Sequence, residues 1–272
     1  MKWRNSFAVL AGCTAASLMT VDAQAQNAFA GFYGQLSTGY ESNQLGSQSD
    51  TATVTPYAKS NTNNTGPSQT FGGAPLILGI GYYWQANDKW LIGLGADYSA
   101  LKQTSSSIPV TVANAAGSTS IAPGESLTFN GGNMQLSNRF NLFITPGYAI
   151  DKDKLVYVKA GYSQVTAQYN RATSATRTTN GVSNTYPATG GNQSSNQGGY
   201  LLGLGYRQVI SNGLYGFVEG NYMGYNSPSY TFSSTNATDT SRGVTTTSTR
   251  TVTASFASLN TYQMLIGLGY AF

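Results

Sequence analysis

From Thr261 to Phe272 the chain alternates. Tyr262, Met264, Ile266, Leu268, Tyr270 and Phe272 fall on one phase; Thr261, Gln263, Leu265, Gly267, Gly269 and Ala271 fall on the other. Strand side chains point alternately to two faces, so a period of two predicts a strand with one large apolar face and one small or polar face. The same phase recurs upstream. Leu76, Leu78, Ile80, Tyr82 and Trp84 oppose Gly79, Gly81 and Gln85, and Trp90, Ile92, Leu94, Ala96 and Tyr98 oppose Gly93, Gly95, Asp97 and Ser99. Phe140, Leu142, Ile144, Tyr148 and Ile150 oppose Arg139, Asn141, Thr145 and Gly147, while Tyr200, Leu202, Leu204 and Tyr206 oppose Gly203, Gly205 and Arg207.

Three weaker segments bring the expected strands to eight. Residues 28–41 set Phe32, Leu36 and Tyr40 against Gln35, Ser37 and Glu41, and residues 155–169 set Val156, Val158 and Tyr162 against Lys159, Gly161 and Ser163. In residues 214–225 the aromatic Tyr215 and Phe217 share a phase with Glu219 and Asn221. A carboxylate facing hydrocarbon is the costlier arrangement, which assigns that phase to the inside. The connections alternate in length. Residues 86–89, 151–154 and 211–213 are short turns, whereas 42–72, 103–133, 170–197 and 229–258 are long stretches of Ser, Thr, Asn, Gln and Gly, expected as loops.

Composition removes the soluble alternative. Only 9% of the 272 residues are charged, against about a quarter in a soluble domain. A soluble sandwich would carry charge on its outer faces; here the second face is mostly Gly, Ala, Ser and Thr. Closing eight strands into a barrel puts the large apolar phase against lipid and the glycine phase in a lumen just wide enough for side chains to fill. Glycines then leave room for Arg, Tyr and Phe pointing across, and a Gly269→Ala change is expected to be milder than Leu268→Arg. The net charge of +4 is scattered without a basic run, which argues against nucleic acid.

The first residues have the form of a cleaved signal peptide: Lys2 and Arg4, an apolar run, then Ala23-Gln24-Ala25 before Gln26. Residues 1–25 are expected to be removed and 26–272 to form the barrel. Leu10-Ala11-Gly12-Cys13 has the form of a lipoprotein box, so lipidation at Cys13 stands as the alternative, with a shorter apolar region. With cleavage after Ala25 no cysteine remains.

The leader, the eight alternating segments with long polar connections, and the final MLIGLGYAF together resemble the small outer-membrane β-barrels of Gram-negative bacteria, in particular the OmpA/OmpX-type, porin-family surface-antigen group. The resemblance implies an eight-stranded antiparallel up-and-down barrel with short periplasmic turns and four long extracellular loops. It implies export to the bacterial outer membrane, lipid partners including lipopolysaccharide, and recognition of Leu268, Tyr270 and Phe272 by the barrel assembly machinery. A monomer is the expected state.

The inward phase collects Asp97, Arg139, Lys159, Arg207 and Glu219 as a candidate network of lumen charges. Across the 211–213 turn, Arg207 and Glu219 are near-diagonal neighbours and the expected ion pair. The barrel enzymes of this group use a histidine; this chain has none, and no Ser, Lys and carboxylate can be placed together, so no catalytic residue, cofactor or metal is assigned. Two functions remain. One is a structural or surface-interaction role, adhesin- or antigen-like, in which the long loops meet host surface, phage or antibody; the alternative is a narrow porin-like channel for ions or small solutes.

Overall fold

The computed structural model describes residues 27–55, 59–113, 125–188, 191–239 and 246–272. Cys13 and the cleavage residues Ala23, Ala25 and Gln26 lie outside the described residues. The described chain is all-β and antiparallel. With strands numbered in chain order, the wall is made by β1 (Gly31–Leu45), β5 (Leu76–Gln85), β6 (Trp90–Ser99), β10 (Asn133–Asp151), β11 (Lys154–Asn170), β14 (Asn192–Ser211), β15 (Leu214–Tyr225) and β18 (Leu259–Ala271). Each pairs with the next in that order, and β18 returns to β1 from Tyr33↔Ala271 to Leu45↔Leu259, so the path of ladders comes back to its start. The segment 214–225 has the facing inferred from Glu219: Tyr215, Phe217, Glu219 and Asn221 are all buried, and Val218 is exposed.

The four long connections are not irregular loops. They fold into β2 (Gln48–Thr55), β3 (Lys59–Gly66), β8 (Val110–Ala113), β9 (Glu125–Asn130), β12 (Ser174–Thr179), β13 (Val182–Pro187), β16 (Ser229–Asp239) and β17 (Thr246–Phe256). Two short pieces, β4 (Gln69–Gly73) and β7 (Gln103–Thr104), lengthen the wall along β1 and β10. The eight hairpin strands form a second sheet in the order β13-β12-β9-β8-β3-β2-β17-β16. By chain continuity each stands on one wall strand: β13 on β14, β12 on β11, β16 on β15, and so on around. Polar, β-branched sequence misleads here, because Thr-rich hairpins pair by backbone and by Thr–Thr contacts such as Thr231–Thr253 and Thr176–Thr185, with no period-two apolar signal to announce them.

The outward face of the wall carries two rows of aromatics. Phe32, Trp84, Trp90, Tyr270 and Phe272 ring the turn end, and Tyr40, Tyr98, Tyr162, Tyr200 and Tyr262 ring the hairpin end, all exposed. Between them lie exposed Leu36, Ile80, Ile92, Leu94, Ile144, Leu204 and Ile266.

Inside, large side chains gather at both ends. At the turn end Phe29, Tyr33, Tyr83, Leu91, Leu155, Tyr157, Tyr215 and Phe217 pack together. The strand expected from residue 28 begins only at Gly31, since Asn27–Ala30 makes a turn that tucks Phe29, 1% exposed, edge-on against Tyr215. At the hairpin end Leu45, Phe71, Ile108, Met134, Leu136, Tyr169, Tyr230, Phe256 and Leu259 form an apolar cap. Burial there pushes the Tyr230 phenol up to about 12.

The inner glycines are where the rings lie. A methyl built on Gly205 overlaps the Tyr157 ring, one on Gly269 the Tyr215 ring, one on Gly93 the Tyr83 ring, and one on Gly81 or Gly95 the Tyr33 hydroxyl. In each of the pairs Gly79–Gly81, Gly93–Gly95, Gly203–Gly205 and Gly267–Gly269 at least one glycine is thus a seat for a tyrosine from another strand. Gly269→Ala is accordingly not a mild change. It is expected to cost about 1–3 kcal/mol by overpacking, whereas Gly34→Ala, with nothing within 4 Å of the added carbon, should stay within about 0.5 kcal/mol of the parent. Urea unfolding of the refolded protein in micelles measures both; equal midpoints for the two variants would contradict the ring-on-glycine packing.

Candidate functional site

The alternation that sends apolar groups outward sends every charge of the wall's middle inward. Asp97 on β6, Arg139 on β10, Lys159 on β11, Arg207 on β14 and Glu219 on β15 are all buried, at 6% exposure or less. They do not form one network. They fall into three levels, and a sixth charge, Glu41 on β1, joins them.

Nearest the cap, Arg139 is bound on all sides. Its Nη1 donates to Glu41 in an ion pair, its Nε to Tyr225 Oη at 2.9 Å, and its Nη2 to Asn43 Oδ1 at 3.1 Å and Thr261 Oγ1 at 3.3 Å. Glu41 also accepts from Asn43 at 3.0 Å and Gln263 at 2.8 Å. The gap beside this pair, lined by Ser99, Leu136 and Val165, has no room for a water molecule.

One level down, Lys159 lies between two carboxylates, its Nζ 2.9 Å from Asp97 Oδ2 and 2.9 Å from Glu219 Oε1. The ammonium also sits 3.9 Å from the centre of the Phe143 ring. Asn141 donates to Asp97 at 2.5 Å, Asn221 to Glu219 at 2.8 Å, and the Tyr157 hydroxyl to Glu219 Oε2 at 2.8 Å. Each carboxylate thus has a cation and neutral donors, the condition for holding ions away from water.

Arg207 departs from expectation. It sits opposite Phe217, with Glu219 facing Gly205, so the diagonal relation to Glu219 holds in the ladder. The expected ion pair is nevertheless not among the ion pairs of the described residues, because Glu219 is taken by Lys159. Instead the guanidinium lies among five rings: Tyr33 at 4.4 Å, Tyr157 at 4.9 Å, Tyr83 and Tyr215 at 5.1 Å, and Phe217 at 5.9 Å. Its Nη2 donates to Gln35 Oε1 at 3.0 Å, and its Nε has no hydrogen-bond partner. Ring faces are negative and a desolvated cation–π contact is worth about 2 kcal/mol, so the cage replaces a counter-ion. Tyr157 links the levels, with its ring against Arg207 and its hydroxyl on Glu219.

Glu41, Asn43 and Gln263 were missing from the sequence-derived network, and a signal for the first was present. The candidate set held three cations against two carboxylates, and a dry lumen has to be close to neutral. Glu41, on the inward phase of the first strand, supplies the third negative charge.

At the terminus Leu268, Tyr270 and Phe272 all point outward; Tyr270 and Phe272 stack edge-on at 5.1 Å, and the Phe272 amide donates to Phe32 O at 2.8 Å.

Glu219→Ala should cost about 3–5 kcal/mol, since it leaves Lys159 with Asp97 alone and the interior with three buried cations against two carboxylates. In double-mutant cycles Lys159 with Glu219 is expected to couple by about 0.5–3 kcal/mol, and Arg207 with Glu219 by less. Denaturant unfolding of the three singly and two doubly changed proteins gives the order; the reverse order would mean that Arg207 holds Glu219 in solution.

No family model matches the chain, and no curated protein matches it. It is similar to solved structures. The outer membrane protein OprG from Pseudomonas aeruginosa aligns at 14% identity over 89% of this chain and 96% of OprG, with a TM-score of 0.46. The outer membrane protease OmpT from Escherichia coli aligns at 9% identity over 89% of this chain and 97% of OmpT, TM-score 0.44. Ail, the attachment invasion locus protein of Yersinia pestis, aligns at 12% identity over 86% of this chain and 99% of Ail, TM-score 0.32. Identities of 14% or less and TM-scores under 0.5 transfer no residue's role to this chain.

Proposed function

We propose that the chain is an exported outer-membrane β-barrel whose lumen is a closed stem and whose work is done at the cell surface by the hairpin sheet, in a structural or adhesin-like role. Filling of the lumen along its length carries this proposal. Phe29 stops the turn end, the Arg207 cage and two ion-paired levels occupy the middle, and Tyr230 and Phe256 belong to the cap. Catalysis and solute passage both need room for a small molecule among these groups.

Placement in a membrane is supported by the two outward aromatic rows. Phe32 to Tyr40 spans about 26 Å of strand at ~3.3 Å per residue, and an apolar band between aromatic girdles is what a lipid-facing barrel requires. The short turns then face the periplasm and the hairpin sheet the outside. Lipopolysaccharide would meet the upper tyrosine row, and host surface, phage or antibody the hairpins.

Two measurements test this. Refolded protein in planar lipid bilayers should show no steady conductance; sustained single-channel currents would put the narrow diffusion channel in its place. Deleting Phe272 should sharply lower the yield of the heat-modifiable folded form in the outer membrane while synthesis and export continue. An unchanged yield would remove Leu268, Tyr270 and Phe272 from any role in assembly.

A further inference from the structure

The hairpin tier repeats the wall strand for strand with one ladder missing. Among the described residues seven pairings join its eight strands, and the path ends at β13 and β16 without closing. Directly below, β14 and β15 are laddered from Ser211↔Leu214 up to Gly199↔Tyr225. Above that fork the backbones part. The Asn226 amide still donates to Gly198 O at 3.0 Å, and then Gln193 crosses the gap by side chain alone, its Nε2 donating to Thr231 O at 2.5 Å. β13 is exposed along its whole length, with Val182 and Tyr186 at 63% and 54%, and it carries no charge to guard it. Pro187 at the wall end is its one guard, and the rest of the edge is a template for pairing.

Strand direction selects the occupant. β13 runs down toward the wall and β16 runs up from it, so one inserted strand would be antiparallel to one edge and parallel to the other. A second copy, turned by a two-fold axis along the barrel axis, brings its β16 to this β13 and its β13 to this β16. Both pairings are then antiparallel, and no edge is left.

A separate observation lies on the same side, below the fork. The outward face around β14, β15 and β18 is hollow, in two adjoining grooves of about 820 and 430 Å³ that share Tyr206, Val218 and Ile266, the larger reaching Leu36 and Thr38 on β1 and Leu76 on β5, the smaller Val156 on β11. The hollows lie where Gly216 and Gly220 stand. Unlike the inner glycines, neither is needed by the chain's own packing: a methyl on Gly216 meets Ile210 at 3.5 Å and one on Gly220 meets Met264 at 3.5 Å, both ordinary contacts. Met264 and Ile266, 71% and 61% exposed, stand beside the hollows as a ridge. A ridge next to a groove becomes self-complementary under a two-fold axis.

We propose that a second copy of this chain docks across the β13–β16 seam, giving a two-fold dimer whose hairpin tiers close one another and whose β14–β15–β18 faces meet in the bilayer. The proposal rests on the membrane placement above, which gives both copies one orientation, and replaces the expected monomer. The two-residue turn Asn180–Gly181 makes Thr179–Val182 the bonded pair, so Ser183 and Thr185 turn their amides to the free edge. Thr185→Pro therefore removes an edge donor without breaking the hairpin, and Gly220→Leu projects into the hollow from a Cβ that makes only ordinary contacts.

The test uses dye-labelled protein refolded into phosphatidylethanolamine–phosphatidylglycerol vesicles, with bleaching steps counted per spot and the heat-modifiable band as the check on folding. The unmodified protein should bleach in two steps. Thr185→Pro should raise the dimer dissociation constant at least about fivefold, since a ladder bond is lost at both symmetric contacts, and Gly220→Leu should raise it too, by filling the hollow that the partner's ridge would enter. Single-step bleaching of the folded, unmodified protein at all densities would overturn the dimer, as would a dimer that survives either change. Folded protein that fails to enter the vesicles would overturn the membrane placement and the dimer with it.

Discussion

Everything inside this protein follows from closing the wall at eight strands. A ring of that size satisfies the backbone hydrogen bonds of every wall strand, but it leaves an interior only as wide as two side chains meeting. Residues on the inner phase therefore cannot be chosen one at a time. A tyrosine on one strand needs a glycine on its neighbour, as Tyr157 needs Gly205 and Tyr215 needs Gly269. The cation those tyrosines surround, Arg207, is held by rings, while its diagonal neighbour Glu219 is bonded to Lys159.

The levels above obey a different rule. Lys159 and Arg139 are each matched to carboxylates on strands far away in sequence, with Asn, Gln, Thr and Tyr groups completing the shells. Such buried pairs are weak evidence for stability, since apolar replacements of equal volume often do as well. Their effect here is on register: a one-residue slip of any wall strand would turn its charge from a partner onto the apolar outer face.

How far this was legible from sequence depends on what period-two alternation can report. The wall strands, their facing and the buried charges were legible, because a large apolar face on one side and a packed lumen on the other make a strong alternation, even where Tyr215 and Phe217 muddied it. The hairpin tier was not. Its strands are wetted on the outside and Thr-rich throughout, and only scattered residues such as Ile108, Tyr230 and Phe256 reach the cap. The pairing of Arg207 was missed for another reason. Ladder geometry gives neighbours, but which cation takes which carboxylate is settled across the lumen, where Lys159 holds two, Arg139 one and Arg207 none, and strand order says nothing about reach.

The ladder between β1 and β18 joins residues more than two hundred positions apart, from Tyr33 with Ala271 to Leu45 with Leu259. Contacts so distant in the chain form late, because the loop-closure entropy is lost before any contact rewards it. Until they form, the interior is an open trough, and Glu41 and Gln263, which bond across that joint, remain hydrated. Drying of the lumen is thus tied to the last step of assembly. The reverse also holds: to come apart, the barrel has to part this joint while its six buried charges are still dry, which places the energetic cost on the unfolding barrier and makes the lifetime of the closed state, more than its equilibrium free energy, the measure of its durability.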